Sequence, residues 1–157
     1  MNPEKKILVL ALGNDLLGDD AIGLMVARAL RNENGNSIDI IESPVAGFAL
    51  LDYLEGYDKA LLLDAMHTGE YPEGTIVELT PPHFQQCVAS SPHYVGLPEI
   101  FSLAKRLDIS LPDEVKILAM EISHPFELRE SLSENIVQQL PPFIAKAKQL
   151  LSHWHTE

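Results

Sequence analysis

The chain has 157 residues, 46% of them hydrophobic, which supports one core of ordinary size and is short for two, so a single domain over 1–157 is expected. Eleven Lys and Arg stand against 23 Asp and Glu, and the formal net charge of -12 repels polyphosphate and anionic membrane surfaces at long range, so nucleic acid is not an expected partner. Cys87 is the sole cysteine and has no internal disulfide partner, no apolar run approaches the ~20 residues that cross a bilayer, and the apolar stretch after Lys6 is too short for a secretory signal; a cytoplasmic protein without membrane association is expected.

Residues 7–12 form a continuous apolar run closed by Gly13-Asn14, the pattern of a strand buried on both faces of a parallel sheet. Asp19 or Asp20 then stands where the cap of a helix belongs, and Ile22, Leu24, Met25, Val26, Ala29 and Leu30 recur at helical spacing until Asn34-Gly35-Asn36 stops them. A strand over 37–42, a helix over 47–54 and an apolar strand over 59–63 that ends at Asp64 continue the alternation. Residues 75–79 alternate like a half-exposed antiparallel edge strand, 98–107 read as a helix with Pro98 in its first turn, and 115–122 as another core strand. The last stretch, 131–154, is helical in period, but Pro141-Pro142 removes two backbone donors and predicts a break or kink. Residues 80–94, rich in Ser, Thr and Pro with weak periodicity, read as a functional loop. Strand and helix alternate throughout, which predicts a three-layer α/β fold with a twisted, mainly parallel five-stranded sheet and helices on both faces.

Ligands of open α/β sheets bind beyond the carboxyl ends of the strands, and two groups of acids fall there: Asp19-Asp20 after the first strand and Asp64 after the third. Taken singly, each reads better as structural, Asp19 and Asp20 as helix caps and Asp64 as the start of a turn. His93 in Ser91-Pro92-His93-Tyr94-Val95-Gly96 precedes a predicted helix, where Pro92 stiffens the approach and a neutral imidazole can face the same sheet edge. Together Asp20, Asp64 and His93 make an O,O,N donor set suited to Zn²⁺, Ni²⁺ or a similar divalent ion, with positions left for water and substrate. Asp19 beside them is placed to hold a ligand or shuttle a proton, and His67, three residues after Asp64, is the best spare ligand candidate.

Other chemistries fit less well. Gly13, Gly18 and Gly23 are five apart and do not make a dinucleotide fingerprint, and no Gly-Lys-Ser/Thr loop is present. Ser90 and Ser91 lie near His93 without a Gly-x-Ser-x-Gly elbow, Cys87 six residues from His93 says little about spatial pairing, and His153 and His155 around Trp154 read as a solvated C-terminal end.

The run Gly13-Asn14-Asp15-Leu16-Leu17-Gly18-Asp19-Asp20-Ala21-Ile22-Gly23 resembles the opening motif of the hydrogenase maturation proteases, and Leu63-Asp64-Ala65 and Ser91-Pro92-His93-Tyr94-Val95-Gly96-Leu97 resemble their strand-end Asp-Ala and loop-histidine segments in order and spacing. The resemblance implies a metal-dependent endopeptidase that removes the C-terminal extension of a nickel-iron hydrogenase large-subunit precursor after nickel insertion. It implies metal ligation by Asp20, Asp64 and His93, with nickel as the expected ion, which the substrate itself can deliver. The chain departs from the family at Glu42-Ser43-Pro44-Val45-Ala46-Gly47, where relatives often show Asp-Gly-Gly-Thr, and over 121–133, which lacks a Gly common in relatives; both bear on substrate choice. Two other readings stay open from sequence: a non-proteolytic nickel-binding accessory protein of hydrogenase assembly, and a metal-independent α/β hydrolase.

Overall fold

The structure, a computed structural model, describes residues 3–33, 37–80, 83, 91–94 and 96–157. Cys87, Ser90, the Asn34-Gly35-Asn36 helix stop and most of the expected functional loop lie outside the described residues.

In chain order the elements are β1 (Ile7–Leu12), α1 (Ile22–Glu33), β2 (Ile38–Ser43), α2 (Leu50–Leu54), β3 (Lys59–Met66), β4 (Ile76–Leu79), α3 (Leu97–Arg106), β5 (Glu114–Glu121) and α4 (Glu134–Thr156). Short 3-10 turns occupy Gly18–Ala21, Gly47–Ala49 and Pro92–Tyr94. The sheet order is β2-β1-β3-β5-β4; the first four strands are mutually parallel and β4 closes the edge antiparallel to β5. This is the α/β architecture expected from the alternation of elements.

Pleating divides the core in two. Ile7, Val9 and Ala11 of β1 and Leu61, Leu63 and Ala65 of β3 pack with α1 and α4, while Leu8, Leu10, Leu12, Ala60, Leu62 and Met66 face α2 and α3. Every residue of β1 and β3 is buried, which is why both strands read as unbroken apolar runs.

The strand β3 is longer than its apolar run. It pairs with β1 only as far as Ala11↔Leu63, then continues with β5 through Met66↔Glu121. Asp64 therefore lies inside a strand, not at its end. It is the first residue past the reach of β1, and it sits on the face of α2 and α3.

Two expectations at helix level are corrected. The helix α4 runs from Glu134 to Thr156 without interruption through Pro141 and Pro142. The prolines remove the donors that would reach the carbonyls of Val137 and Gln138, and all four residues are exposed, so water can satisfy those acceptors. Ile136 and Phe143, each fully buried, bracket the prolines and hold the helix to the sheet. At its end His153 and His155 are exposed as expected, but Trp154 between them is 1% exposed and belongs to the core.

Among the described residues no helix is long and apolar enough to cross a membrane. Phe143 of α4 is fully buried in the core, so Phe143→Ala is expected to lower unfolding stability by about 3–5 kcal/mol, read as a lower urea midpoint with a circular dichroism spectrum unchanged in buffer.

Candidate active site

At the carboxyl edge of the sheet, where β1 ends and β3 runs on, three elements converge. The 3-10 turn Gly18–Ala21 brings Asp20, β3 brings Asp64, and the turn Pro92–Tyr94 brings His93. One ligand atom from each lies within 4.8 Å of the other two. The three residues singled out in the sequence are thus brought together, and among the described residues they form the one such group of His, Cys, Asp and Glu.

Backbone packing fixes the two carboxylates. A Cβ added to Gly23, in the first turn of α1, would lie 2.5 Å from the Leu63 carbonyl oxygen and 3.0 Å from the Asp64 amide nitrogen, so α1 starts in direct contact with the β3 backbone at the functional residue. A Cβ on Gly13 would meet the Asp20 carbonyl oxygen at 2.5 Å. The amide of Asn14 donates to Asp20 Oδ2 at 3.0 Å and sets the side chain's direction. Around this loop Arg28 grips Asp15 through two nitrogens, at 3.0 and 2.8 Å, and also donates to Glu42 on β2.

Asp64 is fully buried, and its oxygens are spoken for. The Ala65 amide donates to Oδ1 at 2.7 Å and the Ser91 hydroxyl to Oδ2 at 3.1 Å. Burial pushes its carboxyl up to about 7, with the Asp20 carboxylate adding to the rise and His93 and the Ala65 N–H opposing it. Burial raises Asp20 as well, against the pull of His93 and the Asn14 N–H. Two carboxyls that resist ionisation side by side are a donor set that a cation would complete.

His93 is 8% exposed, and its Nδ1 lies 2.8 Å from the Val45 carbonyl oxygen. A carbonyl only accepts, so Nδ1 carries the proton and Nε2 keeps its lone pair, the state a metal ligand needs. The loop that presents Val45 is itself tied down: Val45 N donates to Ser43 Oγ, and Ser43 pairs with Tyr53 Oη.

Asp19 behaves differently from the adjacent acid. Its carboxylate accepts from the Ser133 amide at 2.6 Å and the Ser133 hydroxyl at 2.8 Å, at the N-cap of α4, and it is not brought to the group of three. Neither Asp19 nor Asp20 caps α1, contrary to the helix-cap expectation. Ser91 is no nucleophile candidate by sequence motif; in the structure its hydroxyl donates to Asp64 and approaches the His93 amide. No spacing rule reveals that role, because it spans 27 residues.

The group opens onto a cleft of about 490 Å³ with an apolar lining that includes Leu17, Pro44, Met66, Ile122 and Phe126. Among the described residues, Asp20, His67 and His93 are the titratable side chains on its wall. Such a site offers donors for one divalent ion beside an apolar cleft.

The chain and its fold are similar to known proteins. A family model described as hydrogenase maturation protease matches residues 24–150. The hydrogenase 2 maturation protease of Escherichia coli K12 is 28% identical over 143 residues, 87% of this chain and 85% of that protein. The hydrogenase expression/formation protein HupD of Bradyrhizobium diazoefficiens is 25% identical over 158 residues, 96% of this chain and 80% of that one. The solved hydrogenase maturating endopeptidase HybD from E. coli superposes with a TM-score of 0.79 at 25% identity, covering 94% of this chain and 93% of that structure.

Two measurements follow from the buried carboxyls. An unfolded Asp titrates near 3.9, well below the folded Asp64, so this residue favours the folded apo protein in acid and that contribution is lost as pH rises through about 7. Asp64→Asn is therefore expected to raise the melting temperature of the ion-free protein at pH 8 and not at pH 4. A cation must displace the Asp64 proton below pH 7, so calorimetric affinity for Ni²⁺ or Zn²⁺ should fall about tenfold per pH unit there; an affinity flat from pH 5 to 8 would contradict this assignment. Gly23→Ala should weaken the same binding by displacing the β3 backbone, at a stability cost of about 1–3 kcal/mol.

Proposed function

The chain belongs to the hydrogenase maturation protease family, and from that premise we propose that it is an endopeptidase that removes the C-terminal extension of a nickel-iron hydrogenase large-subunit precursor after nickel insertion, acting in the cytoplasm through a metal-centred site. The observation that carries the metal-centred part is the convergence of Asp20, Asp64 and His93 within 4.8 Å at the head of a peptide-sized cleft.

In this reading Asp20, Asp64 and His93 Nε2 hold the ion. A divalent ion there supplies an electrophile for the scissile carbonyl and activates water near neutral pH. The chain's own residues supply the geometry. Ser91 and the Ala65 amide hold both oxygens of Asp64, the Val45 carbonyl fixes the His93 tautomer, and the Asn14 amide fixes Asp20. Asp19 acts as a positioning residue, anchoring the turn that carries Asp20 to the start of α4.

Substrate docking is supported by the surroundings of the cleft. Phe126 and Leu128 are 78% and 82% exposed, and the Arg129 amide donates to the carbonyl of Leu16, itself 56% exposed, which brings the segment that carries them beside Leu16. Exposed apolar side chains grouped at the mouth of a cleft suit a protein partner. Nickel is the ion proposed, delivered by the loaded precursor; three ligands with both carboxyls reluctant to ionise would bind a free ion weakly and leave the enzyme silent until the precursor docks.

The test is cleavage of a nickel-loaded large-subunit precursor by the wild type and by Asp20→Asn, Asp64→Asn and His93→Ala. Each variant is expected to lose at least about 100-fold in kcat/KM while keeping its circular dichroism spectrum. Full activity in all three would place the site elsewhere, and metal binding by a wild type that cuts nothing would favour the accessory-protein reading.

A further inference from the structure

The roles assigned so far leave one task of the proposed reaction without a residue among those described. Hydrolysis of a peptide bond needs a group that takes a proton from the attacking water and returns one to the amine. The carboxylates are engaged: Asp64 at both oxygens, Asp20 by the Asn14 amide and the ion-holding group, Asp19 by Ser133. Among the described residues three titratable side chains stand on the cleft wall; Asp20 and His93 belong to that group, and His67 does not.

His67 is equipped as His93 is. Its Nδ1 lies 2.8 Å from the Ile122 carbonyl oxygen, so Nδ1 holds the proton and Nε2 is the nitrogen free to accept one. The ring sits directly after β3, and the backbone on either side of it is held. The Ile122 amide donates to the Met66 carbonyl at 2.8 Å, and Glu121, 2% exposed, accepts from the amides of Thr68 and Gly69 at 2.9 and 2.8 Å. A buried carboxylate spent on two loop amides keeps His67 where it is, exposed to solvent at the cleft wall.

We propose that His67 is the proton carrier of the cleavage. This rests on the endopeptidase reading above. As the water oxygen bonds to the carbonyl carbon, one water proton crosses to Nε2. The imidazolium then hands that proton to the amide nitrogen while the C–N bond breaks. The products are a carboxylic acid and a free amine, which exchange their protons with solvent, and the imidazole is restored.

Substitution separates this role from a structural one. His67→Asn keeps an N–H donor for the Ile122 carbonyl but has no second nitrogen to carry a proton, so a tethering role predicts full activity and a proton carrier does not. With the nickel-loaded precursor, His67→Asn is expected to lose about 10²–10³-fold in kcat with KM and Ni²⁺ affinity unchanged, and His67→Ala to regain activity when free imidazole is added. Wild-type kcat in His67→Asn, loss of Ni²⁺ affinity in it, or failure of imidazole to rescue His67→Ala would each overturn the proposal while leaving the endopeptidase reading in place. Absence of cleavage by the wild type would overturn both.

Discussion

The first turn of α1 rests on the backbone of β3 with no side chain between them. That contact, possible because residue 23 is glycine, fixes the distance between a helix start and a strand interior, and the two carboxylates of the site hang from its two sides. Asp20 lies three residues before the contact and Asp64 within it, so neither can move without the other. Gly13 repeats the device one loop earlier, against the Asp20 carbonyl. Two of the glycines that fail as a nucleotide fingerprint, Gly13 and Gly23, are thus explained by packing: these positions admit backbone, not phosphate.

The same contact makes Asp64 costly. Asp64 is fully buried in a strand whose every residue is buried, and a carboxylate there is penalised in its charged form. Ser91 and the Ala65 amide offset part of that penalty without a cation. A fold selected for stability alone would fill position 64 with an apolar side chain like its neighbours Ala60 and Leu62. An ionisable group held against that gradient, with a second carboxyl and an imidazole aimed at the same point, belongs to chemistry and not to packing.

Much of this was legible in the chain. The apolar runs over 7–12 and 59–63 and the helical spacing after Ala21 give the parallel order directly, because burial on both faces leaves a continuous signature. What misled were places where a long-range partner decides the outcome. The strand β3 was expected to stop at Asp64 since a charge interrupts its pattern, yet β5 pairs onward to Glu121 and carries it through. Pro141-Pro142 was expected to break a helix that Ile136 and Phe143 hold in place from either side. Neither the tie from Glu121 to the loop after β3 nor the support of Asp64 by Ser91 is legible in sequence, because each acts across a gap that no local pattern records.

The two adjacent acids show how far local sequence can separate roles. In a 3-10 turn successive side chains are about 120° apart, so Asp19 and Asp20 cannot face the same partner. One turns to Ser133 at the start of α4, the other to the cleft. The pair therefore joins the C-terminal helix to the site: the docking of α4, driven by Phe143 and Trp154 on the sheet, draws Ser133 onto Asp19 and so fixes the turn from which Asp20 projects. An acid pair in this motif needs no two ligands to explain it, since one carboxylate holding the turn is what gives the other its direction.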